Sequence, residues 1–236
     1  ILICGNGLGT ATLRDNEEIL NSIAILVLIL CFWSLYLPVM RIVRDWPITR
    51  REQRWGVSAR LHLAARIIWD LPGVIAVPVA TVIIIKYAAP LVKESPELSW
   101  GSTGRTVLIL VFTCLCCYMI GTLIGAISPK GVPAIQWVIF AISVMVAFSG
   151  FVIPLKGQMF LDTLSRVIPS RLAIAELTSI LDAEQALGAP VFDPLQSASA
   201  QQQFIMFVTI VVVGMISLCV AGRAMDTTMR KLDRKD

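Results

Sequence analysis

The chain has 236 residues, 56% of them apolar and 15% charged, with a formal net charge of +4 and a mean hydropathy of +0.78. Charge this sparse cannot cover a soluble domain of such a size, so composition predicts an all-α integral membrane protein. No segment alternates with period two in units of about ten residues, which argues against an outer-membrane barrel.

The opening stretch "ILICGNGLG" resembles the last turns of an apolar helix over residues 1–8. No n-region or start methionine precedes it, so it is not a signal peptide, and the chain is expected to be the C-terminal part of something longer. "GNGLG" imitates a glycine-rich nucleotide loop without the strand-to-helix setting such a loop needs, and is expected to be a turn. About 20 apolar residues cross the hydrocarbon as a helix. Five stretches qualify: 19–40, 67–87, 106–127, 134–153 and 204–222.

Between the first two of these lies "RDWPITRREQRWGVSARLHLAARIIWDLPG". Arg41, Arg44, Arg50, Arg51, Arg54, Arg60 and Arg66 flank or fill this loop against only Asp45 and Glu52, and the tail carries Arg223, Arg230, Lys231, Arg234 and Lys235. Short loops rich in Lys and Arg stay cytoplasmic. Both basic segments are therefore expected inside a cell membrane, with the "SPKGVP" turn, while 88–105 and 154–203 face outside. Segment 44–60 also carries Trp46, Pro47 and Trp55 in the pattern of a short amphipathic helix. Two readings of it stand: an interfacial anchor held by arginine and tryptophan, or a docking element for a cytoplasmic partner.

Arg66 and Asp70 are four apart near the end of their span, a spacing that predicts a structural ion pair within one helix. Pro72 and Pro78 follow, so this helix is expected to begin irregularly or kink. His62, the only histidine, is assigned no role. The span interiors otherwise lack acids and histidines, which argues against a proton relay and for an external energy source. No Ser/His/Asp set, HExxH or GxxxxGK[ST] can be assembled, so no catalytic residue and no metal ligand is predicted. The six cysteines fall in apolar stretches and read as small buried hydrophobes. "GTLIG", Gly121 to Gly125, has the GxxxG spacing of closely packed helices.

The connection over 154–203 opens with "FSGFVIPL", where Gly150 and Pro154 interrupt the preceding span. Apolar residues then recur at helical spacing: Phe160, Leu161, Leu164, Val167 and Ile168, then Leu172, Ile174, Leu177, Ile180 and Leu181. Two amphipathic helices separated at Pro169 are expected to lie on or dip into the outer leaflet.

The order of these features resembles the membrane domain of ABC exporters of the ABCG (white-type) class, a six-helix domain whose first helix would here be largely missing. "RREQRWGVSARLHLAARIIWDLP" is similar to the family's coupling helix and the span that follows it. "AFSGFVIPL" and "IPSRLAIAEL" are similar to its Phe-Ser-Gly and Pro-Arg-Tyr segments, with Ser170 intervening before Arg171. Within the class the resemblance is strongest to the mycobacterial fusion type, in which forkhead-associated domains and an ATPase precede the membrane domain.

The resemblance implies a homodimer with a substrate path between two copies, driven by an ABC ATPase domain that binds ATP and Mg outside these residues. The coupling residues would be Arg50, Arg51, Glu52, Gln53, Arg54 and Trp55. Phe32, Trp33, Ser143, Val146 and Ala147 would line the path. Phe151 and Val152 would form the outer gate, where the family has paired leucines. Cargo would be a lipid, a glycolipid such as a phosphatidylinositol mannoside, or another amphiphile. The partners implied are the second copy, the ATPase and membrane lipids, with no nucleic acid. A membrane-embedded enzyme of lipid metabolism and a non-catalytic scaffold are the alternatives.

Overall fold

Hydrophobic spans that must satisfy their own backbone groups in lipid have few options besides the α-helix, and helices are what form. The computed structural model describes residues 2–88, 100–128, 131–149, 168–185 and 200–233. Among the described residues there are six helices: α1 (Leu2–Arg54), α2 (Ala59–Ala88), α3 (Trp100–Ile127), α4 (Gly131–Ala147), α5 (Pro169–Gln185) and α6 (Ala200–Asp233). Among the described residues three segments are long and apolar enough to cross a membrane, Ile23–Arg54, Arg60–Ile84 and Thr103–Ile127, with shorter apolar helices at Pro133–Ala147 and Val211–Met225.

Helix α1 corrects two expectations. The turn expected at "GNGLG" is absent, and segment 44–60 is not a separate surface helix. One helix runs from Leu2 to Arg54 through both. Glycine costs a helix only about 1 kcal/mol, and the strong helix formers Leu13, Arg14, Glu17 and Glu18 follow, so cooperative propagation carries the helix across. At 1.5 Å per residue α1 is about 80 Å long, more than twice the hydrocarbon thickness. Pro38 and Pro47 lie inside it. The chain reverses at Trp55–Ser58, where Gly56 adopts φ +90°, a left-handed conformation suited to glycine. Ser58 then caps α2, its Oγ accepting from Leu61 N at 3.3 Å. Helix α2 stays helical through Pro72 and Pro78.

Helix α3 is the centre of the bundle and packs against α1, α2, α5 and α6. Leu110, Cys114, Cys117 and Tyr118 from α3 share a core with Val27, Cys31, Leu35 and Val39 from α1. Cys31, Cys114, Cys116 and Cys117 are buried free thiols, whereas Cys219 on α6 is exposed. The "GTLIG" pair sits at the α1 crossing. A Cβ built on Gly121 would collide with the Leu35 carbonyl oxygen and lie 2.7 Å from Pro38 Cγ, and one on Gly125 would lie 3.0 Å from Ile42 Cδ1. The glycines are what allow the two backbones to approach.

Helix α5 departs from a surface position. Ser170, Arg171, Leu172, Ala173, Ile174, Ala175 and Leu177 are all buried, because α5 is inserted against α1, α3 and α4. Ser170 Oγ donates to the Met145 carbonyl of α4 at 3.2 Å, and Glu176 forms an ion pair with Arg105 of α3. The first of the two helices expected in this connection lies outside the described residues.

Gly121→Ala is expected to destabilise the bundle by about 1–3 kcal/mol through overpacking. Gly73→Ala on α2, whose added methyl meets nothing within 4 Å, should be neutral or slightly stabilising. Thermal unfolding of both variants in one detergent checks the pair.

Candidate functional site

Two arginine–aspartate pairs lie where α1, α2 and α3 meet, toward the α1–α2 reversal. Arg41 and Asp45 lie one turn apart on α1, and Arg66 and Asp70 lie one turn apart on α2. Because the two helices run antiparallel from the reversal, residue 41 comes opposite 70 and residue 45 opposite 66. The charges then pair across the helices: Arg41 with Asp70 and Arg66 with Asp45. Arg44 adds a 3.2 Å contact from its Nε to Asp45 Oδ1.

The expected Arg66–Asp70 pair within α2 is therefore corrected. Asp70 is fully buried, with 0% of its side chain exposed, and one arginine on its own helix leaves a buried carboxylate short of donors. The crossed arrangement gives it Arg41 from α1 and the Tyr118 hydroxyl from α3, which donates to Oδ2 at 2.9 Å. An ion pair with α1 and a hydrogen bond from α3 offset part of the cost of burying the charge. Sequence reasoning missed Arg41, Asp45 and Tyr118 as members of this site. The signal was present as Arg-x-x-x-Asp occurring twice, on either side of a reversal.

Next to these pairs is a compact apolar cluster of Ile42, Trp46, Leu63, Ala126, Ala221 and Met225, drawn from α1, α2, α3 and α6. Trp46, read from sequence as part of an interfacial pattern, belongs to this core. Trp55 is the interfacial one, 77% exposed, with the Arg51 guanidinium 5.8 Å from its ring centroid.

The candidate coupling residues Arg50, Arg51, Glu52, Gln53 and Arg54 form the last turns of α1, and Trp55 begins the reversal. Glu52 and Gln53 shape that reversal through their carbonyls, which accept from Trp55 N at 3.0 Å and Gly56 N at 2.9 Å respectively. The Glu52 carboxylate reaches across the reversal to His62 Nδ1 on α2 at 2.7 Å. His62, given no role from sequence, thus ties the two sides of the loop together.

The candidate path residues lie on α1 and α4, which pack against each other. Phe32 is exposed and stacks on Tyr36 at 5.6 Å between ring centroids. Trp33 is half-buried, as are Val146 and Ala147. Ser143 is exposed and its hydroxyl donates to the Ile139 carbonyl at 2.9 Å. A second aromatic pair on α4, Trp137 and Phe140, meets edge to face at 6.0 Å. Phe151 and Val152, the expected outer gate, lie outside the described residues.

The profile of the ABC-2 type transporter membrane domain covers residues 1–181. The chain belongs to the ABC-2 type transporter family. It is also 26% identical over 161 residues to the ABC transporter ATP-binding/permease protein Rv1747 of Mycobacterium tuberculosis. That alignment takes in 68% of this chain and 18% of the relative, so the domain spans less than a fifth of the length of the protein it matches. An ABC-2 membrane domain is the transporting part of its assembly, and this permease presents to its surroundings the loop described above.

Reversing Arg66 alone (Arg66→Asp) places two carboxylates together and should destabilise the permease. Adding Asp45→Arg should restore most of the loss, with a coupling of about 1–3 kcal/mol. Combining Arg66→Asp with Asp70→Arg, which would restore a pair only within α2, should not. Thermal unfolding of the single and double variants separates the two arrangements.

Proposed function

We propose that this domain is the permease of an ATP-driven ABC exporter of the ABCG class. It works as a homodimer in the cell membrane and moves a lipid, a glycolipid such as a phosphatidylinositol mannoside, or another amphiphile outward by alternating access. The energy comes from an ABC ATPase domain that binds ATP and Mg outside these residues. The observation that carries this reading is the continuity of α1. The coupling residues Arg50 to Arg54 and the path residues Phe32 and Trp33 stand on one helix, with Trp55 directly after its end, about 30 Å apart along its axis.

A push on the α1–α2 reversal by a closing ATPase acts on a rod. Glu52–His62 holds the two sides of the reversal together, and the crossed pairs at Asp45 and Asp70 fasten α2 and α3 to the same rod. Displacement then reaches the path as a rigid-body movement of helices between two packed arrangements, the usual form of such transitions. Coupling free energies between sites are typically 1–3 kcal/mol, about 5- to 150-fold in affinity, within the range that a few such contacts supply. The basic reversal faces the cytoplasm in this reading, in keeping with the arginine excess. Exposed Phe32, Trp137 and Phe140 present apolar aromatic surface to the path and its lipid border, which suits an amphiphile and suits a sugar or a metal ion poorly.

The test is ATP turnover of the full-length protein in lipid nanodiscs with candidate glycolipids added. Glu52→Ala and Arg54→Ala are expected to lower lipid-stimulated turnover about tenfold while nucleotide binding persists. Unchanged turnover in both variants would leave the segment as a membrane-surface anchor. Turnover indifferent to every glycolipid tried would move the cargo out of that class.

A further inference from the structure

We propose that the charges between α1 and α2 form an exchangeable latch, with a second complete pairing in which α2 is released from α1. The proposal rests on the exporter reading above, whose cycle needs two packed arrangements. In the described arrangement Arg41 pairs with Asp70 and Arg66 with Asp45, so both pairs cross from one helix to the other. Yet each helix also carries an arginine and an aspartate four residues apart, Arg41 with Asp45 on α1 and Arg66 with Asp70 on α2. Side chains at that spacing are neighbours on one helix face. The same groups can therefore pair within their helices, and no charge is stranded when the helices part.

A donor for the second pairing is already in place. Arg66 gives its Nη2 to Asp45, while its Nη1 is buried with no hydrogen-bond partner, one turn from Asp70. A buried, unpaired donor is costly, and this is the atom that an exchange would use. Arg44 Nε lies 3.2 Å from Asp45 Oδ1 and stands on the same helix, so Asp45 can keep that contact in either pairing. The crossed pairing is the resting one. In both helices the arginine precedes the aspartate, the weaker order for an ion pair within a helix. Helix α2 is also the one held lightly. Among the described residues its buried hydrophobic side chains are Leu63, Val74 and Val82, while Ile68, Trp69 and Ile84 are exposed. Helices α1 and α3 are instead joined by close backbone approach at Gly121 and Gly125. A push on the reversal thus parts α2 from an α1–α3 unit. Positions between the two pairings leave buried charges half satisfied, which makes the arrangements discrete.

The test uses the full-length protein in lipid nanodiscs, reading ATP turnover, the yield of nucleotide trapped with vanadate, and thermal unfolding. Arg66→Asp with Asp45→Arg keeps both crossed pairs but sets arginine against arginine on α1 and aspartate against aspartate on α2. It therefore blocks the exchange alone. This double variant is expected to unfold near the wild-type temperature and to bind nucleotide, yet to lose about tenfold in turnover and in trapped nucleotide. Inverting all the charges, by adding Arg41→Asp and Asp70→Arg, makes both pairings possible again and should recover most of the turnover. Turnover and trapping at the wild-type level in the double variant would overturn the proposal, because the crossed pairs would then be a permanent clamp. A fully inverted variant that folds but stays inactive would overturn it too. Wild type that neither hydrolyses ATP nor traps nucleotide would instead remove the exporter reading, and the exchange with it.

Discussion

The arrangement depends on one buried carboxylate. Asp70 is an acid without solvent exposure on a helix expected to lie in lipid, and a charge in that position costs several kcal/mol unless donors surround it. Its donors come from two other helices, Arg41 of α1 and Tyr118 of α3. Satisfying Asp70 therefore sets the relative position of three helices at once. One turn away the Arg66–Asp45 pair repeats the constraint between α1 and α2 in the opposite sense, so sliding either helix by a turn would bring like charges together.

Close packing makes the same joint stiff. Gly121 and Gly125 let α3 approach the α1 backbone where it carries Leu35, Pro38 and Ile42, and Trp46 fills the space between α1, α2, α3 and α6. Polar pairs specify which helices meet and small residues set how near they come. Neither alone would do both, because dispersion contacts are indifferent to register and an ion pair tolerates a looser distance. At the far end of the bundle a different device operates. Helix α5 is inserted among its neighbours and held by Ser170 to α4 and by Glu176 to Arg105 of α3. The two ends of α3 are thus fastened by unrelated contacts.

Much of this protein was legible in its residues, and the gaps have identifiable causes. Hydropathy gives the membrane class and the all-helical character, because length and apolarity are local properties that lipid enforces strictly. The strings around Arg50–Trp55 and Phe148–Pro154 pointed to an ABC transporter membrane domain, and the profile over residues 1–181 establishes the ABC-2 type transporter family. The GxxxG spacing pointed to a close crossing, though not to α1 as the partner. What local reasoning misjudged was continuity: it placed a turn at "GNGLG" and a separate helix at 44–60 because glycine, proline and charge are read as breaks, whereas helix cooperativity over flanking helix formers carried α1 through.

Sequence by itself determined that this is a helical membrane domain with its arginines concentrated at one reversal, since composition and periodicity are written residue by residue. The tertiary structure alone decided who pairs with whom. Arg66 and Asp70 have the right spacing to bond each other, yet each bonds α1 instead. A buried charge is satisfied by whichever donors the packed helices bring to it, and the antiparallel register of α1 and α2 appears nowhere in the spacing of either one.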